Sequence, residues 1–146
     1  MVATSPPRGT PTRAPARAVL VVLEALLGGS AVYGAVGLLA GTLGMSDDWL
    51  VGTPFADWVV PGVALLLVVA APMLGAAFLE LRGHRAAPTA SVLAGVSQVG
   101  WIAVQLLVMQ RYFVLQPVVL LVAAAILLVA GVRHTRPATS AGRTSP

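Results

Sequence analysis

The segment SDDWLVGTPFADWVVPG, residues 46–62, decides how the chain is organised, because its acidic and turn-forming residues separate two long apolar runs. It contains three of the five acidic residues of the chain, namely Asp47, Asp48 and Asp57. Two Trp residues and one Phe in the same segment are typical of the headgroup level of a bilayer, where amphipathic rings are enriched. We therefore predict an ordered cap at one membrane surface, between two membrane-spanning helices.

Two helix-start signals lie within this segment. Ser46 is placed to cap a short turn that Gly52 ends. Thr53 followed by Pro54 is typical of an N-cap with proline at the first helical position. These signals predict that the second long helix begins at Pro54, with Asp57 in its first turn, where a carboxylate is favoured by the free backbone amides.

Outward from this segment, the sequence consists mainly of apolar runs. The mean hydropathy is +0.90, and only 10% of the 146 residues are charged. A membrane-spanning helix needs roughly 20 apolar residues, and four runs are long enough: 19–43, 54–81, 88–110 and 115–132. We predict an all-α fold, a polytopic membrane bundle of four transmembrane helices over residues 17–135. Residues 1–16 and 136–146 lack apolar periodicity and are predicted to be disordered cytoplasmic tails.

The nine basic residues, all Arg, indicate the orientation. Eight precede the first run, lie between the second and third, or follow the fourth, and only Arg111 lies on the other side. By the positive-inside rule both termini are cytoplasmic and residues 46–62 lie outside. The exclusive use of Arg indicates a GC-rich bacterial source, so we expect a multi-pass protein of the bacterial inner membrane, with the lipid bilayer as its main contact.

Asp47, Asp48, Asp57 and Arg111 are the charged residues of the predicted outer face. We predict that Asp57 and Arg111 form an ion pair that holds the cap against the turn between the third and fourth helices. The alternative is that Asp57 only caps its helix while Arg111 reaches lipid phosphate. Asp47 and Asp48 are adjacent and lack the ligand spacing of a calcium loop, so no metal site is predicted.

Glu24 is predicted to lie within the first span, where an acidic residue is a functional candidate by default. Ser91, Gln98 and Gln105 follow one another at intervals of seven and therefore share one face of the third helix. Together these four residues are the candidate intramembrane polar site. The alternative is structural: Glu24 is hydrated near the interface or, when protonated, hydrogen-bonds across the bundle, and the glutamines hydrogen-bond between helices.

Two further patterns concern helix packing. Gly37 and Gly41 form a G-x-x-x-G step, which predicts close approach of another helix, either within the chain or in a homo-oligomer. Pro61 and Pro72 are predicted to kink the second helix, because each lacks an amide donor and displaces the carbonyl four residues earlier.

Several functional classes are excluded by composition. The chain has no Cys, so thiolate metal sites and thiol nucleophiles are absent. His84 and His134 have neither metal-ligand spacing nor a paired nucleophile, and no phosphate-binding glycine loop is present. The Arg residues border apolar runs instead of forming a basic stripe, which argues against nucleic acid. We expect a protein that is not an enzyme and has no cofactor.

Three pieces of sequence, DWLVGTPFADWVVPG, WIAVQ and LQP at 115–117, resemble small four-helix integral membrane proteins of bacteria that have no assigned function. The resemblance implies the fold and the membrane location, with no catalytic residue. A second likeness, of VLEALLGGSA to the first helix of small multidrug resistance transporters, implies a proton and cation site at Glu24. We therefore expect an interaction or accessory subunit with an unknown membrane partner. The alternative is a small proton-coupled transporter.

Overall fold

The computed structural model describes residues 13–110, 112 and 114–135. Within these residues every apolar run folds as a helix and no strand is present, which confirms the all-helical class. Four helices are long and apolar enough to cross a membrane. They are α1, Arg13–Leu39; α2, Val59–Arg82; α3, Ala87–Met109; and α4, Leu115–Thr135.

The four helices pack as an antiparallel bundle in chain order, and α1 also contacts α4, which closes the ring. The start of α1 lies beside the end of α2, where the Arg17 guanidinium donates a 2.6 Å hydrogen bond to the Leu81 carbonyl. This bond satisfies one of the carbonyls that a helix leaves free at its C-terminus. Residues 13 and 135 therefore lie at one end of the bundle, called here the termini end. Residues 46–58 lie at the other, the cap end.

The first helix begins and ends earlier than the predicted range 19–43. It starts at Arg13, so residues 13–16 are helical and not part of a disordered tail. Residues 1–12 and 136–146 of the predicted tails lie outside the described residues. The helix ends because Gly41 adopts a positive φ of 66°, with Gly41 and Thr42 donating back to the carbonyls of Leu38 and Gly37. This is the Schellman arrangement, which needs a residue free to enter the left-handed region.

The second helix begins at Val59, not at Pro54 as the sequence pattern indicated. Thr53 forms a local turn instead, since its hydroxyl donates to the Leu50 carbonyl and accepts from the Phe55 amide. Asp57 lies before the helix, and its Oδ1 accepts from the Val59 amide at 2.9 Å. The late start has a physical reason: it places Pro61 in the first turn, where a missing amide donor costs nothing. The predicted kink at Pro61 is therefore wrong.

Pro72 does perturb α2. It has no amide to offer the Val68 carbonyl, and the preceding turn, Leu66–Ala70, is a π-helix in which the Ala71 amide bonds to the Leu66 carbonyl. The Val68 carbonyl accepts a hydrogen bond from the Ser97 hydroxyl of α3. A neighbouring helix thus supplies the donor that proline removes, as expected where no water is available.

The core is formed where the helices meet. Leu20, Met73 and Ile126, from α1, α2 and α4, are fully buried there. Glycines allow the helices to approach: a Cβ at Gly28 would lie 2.7 Å from Leu74, and one at Gly95 would lie 2.8 Å from Leu127.

The predicted G-x-x-x-G face is not formed. Gly37 is covered by Leu43 from its own chain, where a Cβ at Gly37 would lie 2.6 Å from the Leu43 side chain. Gly41 lies beyond the end of α1. The two glycines therefore do not share a helix face that a second copy of the chain can approach.

Candidate functional site

Glu24 and Ser91 lie side by side in the termini half of the bundle. Both are completely buried, and the Ser91 hydroxyl is the polar neighbour of the Glu24 carboxyl group. Neither carboxyl oxygen of Glu24, nor the hydroxyl of Ser91, has a partner at ordinary hydrogen-bond geometry among the described residues. The alternative of a hydrated Glu24 near the interface is not what the structure has, because neighbouring helices cover the side chain entirely.

Two residues that the sequence analysis did not select complete this region. Glu80, 1% exposed, accepts a 2.6 Å ion-pair contact from Arg133 Nη1, whose side chain is 22% exposed. The pair joins the C-terminal ends of α2 and α4. Its charges act on Glu24, so Glu24, Ser91, Glu80 and Arg133 form one group, called here the Glu24 cluster.

A signal for Glu80 was present in the sequence. Met73, Ala77 and Glu80 follow one another at helical spacing and are all buried, so Glu80 continues the core face of α2. This pattern alone does not select Glu80, because the residue lies near the end of its apolar run and close to Arg82. A charged residue at the end of an apolar run is equally typical of the hydrated membrane surface. Its burial depends on the approach of α4, which one apolar run cannot specify.

The charge balance of the Glu24 cluster limits its chemistry. It contains two carboxyl groups and one guanidinium, and the geometry assigns the guanidinium to Glu80. A buried acidic group either pairs with a cation or holds a proton, because an isolated charge is costly in a low-dielectric interior. The arrangement is therefore suited to holding a proton or a small monovalent cation.

Gln98 and Gln105 are not part of this cluster. Both line a cavity of about 530 Å³ between the helices in the cap half of the bundle, together with Gln116 of α4. The lining also includes Phe55, Trp58 and Trp101 and is otherwise mainly aliphatic. We call this cavity the chamber. The predicted polar face of α3 is thus divided between two places, Ser91 beside Glu24 and the glutamines in the chamber.

The chamber and the Glu24 cluster lie at neighbouring levels along the axis of the bundle. Leu27 lines the chamber and lies on α1 less than one turn beyond Glu24. The Glu24 carboxyl group is therefore below the chamber floor, on the side of the termini end. Met73 lies level with Gly28, one turn on the cap side of Glu24, because a Cβ at Gly28 would lie 3.2 Å from the Met73 Cβ. Leu20 lies one turn on the other side of Glu24, and both side chains are fully buried.

Trp58 is a polar feature of the chamber that sequence reasoning assigned only to the membrane surface. Its side chain lines the chamber, and its indole Nε1 is buried without a hydrogen-bond partner among the described residues. A buried N–H donor without an acceptor costs about 1–3 kcal/mol. The wall of the chamber therefore contains an unsatisfied donor, and the donor atom itself is buried.

The acidic residues of the cap make local contacts. The predicted capping by Ser46 is confirmed, because its hydroxyl oxygen accepts from the Asp48 amide at 3.2 Å at the start of the short helix Asp47–Trp49. Asp57 accepts from the Val59 amide at the start of α2, as described above. Within the described residues no group of three His, Cys, Asp or Glu side chains is placed to hold a metal ion. Arg111 lies outside the described residues, so its pairing with Asp57 stays a prediction.

Comparisons of the chain with protein-family models, with curated proteins and with solved structures find no match.

Proposed function

We propose that this chain is a multi-pass protein of the bacterial inner membrane with both termini in the cytoplasm. Four apolar helices of spanning length support the membrane location. The antiparallel order of the bundle brings Arg17, Arg82 and Arg133 to the termini end, and the positive-inside rule assigns that end to the cytoplasm. The chamber then opens in the half of the bundle nearer the outer face.

Its function is non-enzymatic binding, in the role of an interaction or accessory subunit. The observation that carries this proposal is the chamber itself. A volume of about 530 Å³ falls within the range of roughly 300–1,000 Å³ typical of small-molecule sites. Its lining combines a large apolar area with a few convergent polar groups, which is the usual composition of a binding site.

A chamber-filling substitution tests this function. Ala64 of α2 is half-buried and lines the chamber, so Ala64→Phe should reduce its volume with little effect on the fold. The matched control is Leu121→Phe, at a side chain of α4 that is 72% exposed and does not line the chamber. The proteins are extracted directly from membranes into polymer-bounded lipid discs, and their bound molecules are identified by mass spectrometry.

We expect the wild type and Leu121→Phe to retain a stoichiometric bound molecule or subunit that Ala64→Phe loses. Size-exclusion chromatography and thermal unfolding would establish that Ala64→Phe remains folded. Identical bound components in all three proteins would contradict the proposal.

A second candidate function is proton-coupled transport, and Glu24 favours it. The residue is fully buried and has no hydrogen-bond partner among the described residues, and it lies three residues along α1 from Leu27, which lines the chamber. In this alternative the chamber receives the substrate and Glu24 exchanges a proton. Everted vesicles carrying the wild type should then accumulate a lipophilic cation such as ethidium when a pH gradient is imposed, and Glu24→Gln should abolish the uptake. Uptake equal to that of vesicles without the protein would exclude transport of this probe class.

A further inference from the structure

The Glu24 cluster has more acidic groups than basic ones. Glu24 and Glu80 are the two glutamates of the chain, and both are buried. Of the described side chains, Glu80 and Arg133 are those whose charges act on Glu24. With both carboxyl groups ionised, the cluster would carry a net negative charge at the fully buried Glu24. A low-dielectric interior strongly disfavours such a charge, so the cluster needs one further positive charge.

The missing positive charge belongs at Glu24. The Glu80 carboxylate accepts from the Arg133 guanidinium at 2.6 Å, whereas neither oxygen of Glu24 has a partner at ordinary hydrogen-bond geometry among the described residues. Ser91 is an independent sign of a ligand here, because its hydroxyl is fully buried, has no partner among the same residues and lies beside the Glu24 carboxyl group. A protonated carboxyl group carries its own donor, which this hydroxyl can accept.

The other arginines described near the termini end are directed elsewhere. The Arg17 guanidinium donates to a main-chain carbonyl of α2. The Arg82 guanidinium lies 4.7 Å from the centre of the Phe78 ring, and that ring is exposed on the outside of the bundle. The helix α3, which faces Glu24 with a serine, contains no ionisable residue. The ion pair at the ends of α2 and α4 is therefore the charged neighbour of Glu24.

Helix geometry directs the two carboxyl groups towards each other. Met73 is level with Gly28, and from that level Glu24 and Glu80 lie about one and about two turns towards the termini end. Side chains on a helix lean towards its N-terminus. Because α1 begins at the termini end and α2 at the cap end, Glu24 leans towards the ion pair and Glu80 leans towards Glu24.

We propose that the Glu24 cluster is a proton-binding site in which Arg133 determines how many protons are held. While Arg133 is paired with Glu80, the cluster holds one proton, bound to a Glu24 oxygen and donated to the Ser91 hydroxyl. When Glu80 is removed, Arg133 pairs with Glu24, and the Glu24 carboxyl group releases its proton to water. This inference goes beyond the binding function of the chamber and does not depend on what the chamber holds. It names the ligand that the transport alternative requires at Glu24, and it does not require that a substrate is moved.

Infrared spectroscopy counts these protons, because a protonated carboxyl group has a carbonyl stretching band that a carboxylate lacks. The full chain is studied in lipid nanodiscs with ¹³C at the glutamate Cδ, and carboxyl bands that shift on labelling belong to its two glutamates. At neutral pH in sodium-free buffer we expect one such band for the wild type and none for Glu24→Gln. Glu80→Gln should also lose the band, although Glu80 itself is ionised in the wild type.

Two arginine variants complete the count. Arg133→Gln should give about twice the wild-type band intensity, because both carboxyl groups then lack a counter-charge. The double variant Glu80→Gln with Arg133→Gln should restore the single band on Glu24, which distinguishes loss of the counter-charge from loss of the fold. Arg82→Gln removes an arginine of the same end that lies outside the cluster, and this matched control should keep the wild-type band.

Three results would overturn the proposal. A wild type without the band in sodium-free buffer would show that Glu24 is ionised. A band that persists in Glu80→Gln would show that Arg133 does not control the Glu24 proton. A wild-type band that sodium chloride removes would identify a site for a metal cation instead. The uptake of ethidium is a separate measurement, since its absence would reject transport of that probe and leave the proton count unchanged.

Discussion

Ser97 illustrates how single residues compensate for the loss of a backbone hydrogen bond within this bundle. Its hydroxyl bonds to the Val68 carbonyl, which Pro72 leaves without an amide donor. Ser30 provides a natural comparison, because its hydroxyl donates at 2.9 Å to the Leu27 carbonyl of its own helix. The first bond joins two helices, whereas the second is local and competes with the ordinary helical ladder.

Ser97→Ala should therefore destabilise the protein by about 0.6 kcal/mol, the average for hydrogen bonds between membrane helices, and by no more than about 1.7 kcal/mol. Ser30→Ala should cost less. Unfolding of both variants in mixed detergent micelles, followed by circular dichroism, measures the difference. If both variants lose the same free energy of unfolding, the Ser97 hydrogen bond does not compensate for the amide donor that Pro72 lacks.

The ion pair between Glu80 and Arg133 is the second prediction at this scale. Glu80 is almost completely buried, so Arg133→Gln leaves a carboxyl group without its counter-charge beside a second one, Glu24. Breaking a buried pair in this way costs about 3–5 kcal/mol, and the partial exposure of Arg133 places the expected loss near the lower value.

The double variant Glu80→Gln with Arg133→Gln should be more stable than the sum of the two single losses predicts, because each single variant leaves an unpaired charge. A double-mutant cycle based on unfolding free energies measures this coupling. Strictly additive losses would refute a net contribution from the pair. If Glu24 takes over the role of Glu80, the Glu80→Gln loss should increase when Glu24→Gln is added.

At the scale of helices, the packing of α1 on α2 depends on the absence of a side chain at Gly28. A methyl group at this position would lie 2.7 Å from Leu74, whereas one at the adjacent Gly29 would meet nothing within 4 Å. Gly28→Ala should thus destabilise the protein by about 1–3 kcal/mol through overpacking. Gly29→Ala should be neutral or stabilising, because alanine has the higher helix propensity.

Leu74→Ala in the Gly28→Ala background should recover part of the loss by making room for the new methyl group. Thermal unfolding of the three variants checks this order. A Gly28→Ala protein as stable as Gly29→Ala would show that the two helices can separate without cost, and that the glycine contact does not define their distance.

The number and type of these elements were predictable from sequence, because apolar runs of spanning length leave the backbone few alternatives to helix in lipid. The boundaries were less predictable. Thr53 and Pro54 have the chemistry of a helix start, but Pro61 is accommodated only if the helix begins close to it, at Val59. A helix start at Pro54 and a first-turn position for Pro61 cannot both occur. The structure has the second, because a proline inside a helix costs more than an unused N-cap.

The candidate site was predictable in part for a related reason. Glu24, Gln98 and Gln105 stand out because polar residues are rare within apolar runs. Glu80 and Trp58 occupy the ends of their runs, where charged and amphipathic residues are common. Their roles depend on which helix approaches them, and that information lies in contacts between distant parts of the chain.

At the scale of the whole molecule, the arginine distribution predicts one orientation in the membrane. Alkaline phosphatase is active only outside the cytoplasm, so a fusion after Gly52 should be active and fusions after Arg85 or Arg136 inactive. Activity measured in intact cells, normalised to the amount of each fusion protein, checks this prediction. The reverse pattern, active at Arg136 and inactive at Gly52, would place the chamber towards the cytoplasm.

The π-helical turn Leu66–Ala70 has a consequence for how the length of this chain can vary in evolution. A π turn closes its hydrogen bond over one residue more than an α turn. Deleting one residue elsewhere in α2 would rotate everything beyond it by about 100°, and Glu80 would turn away from Arg133. A deletion within Leu66–Ala70 can instead be absorbed by conversion to an α turn, which preserves both flanking faces. We therefore expect homologous chains that differ by one residue in this helix to carry the insertion or deletion here.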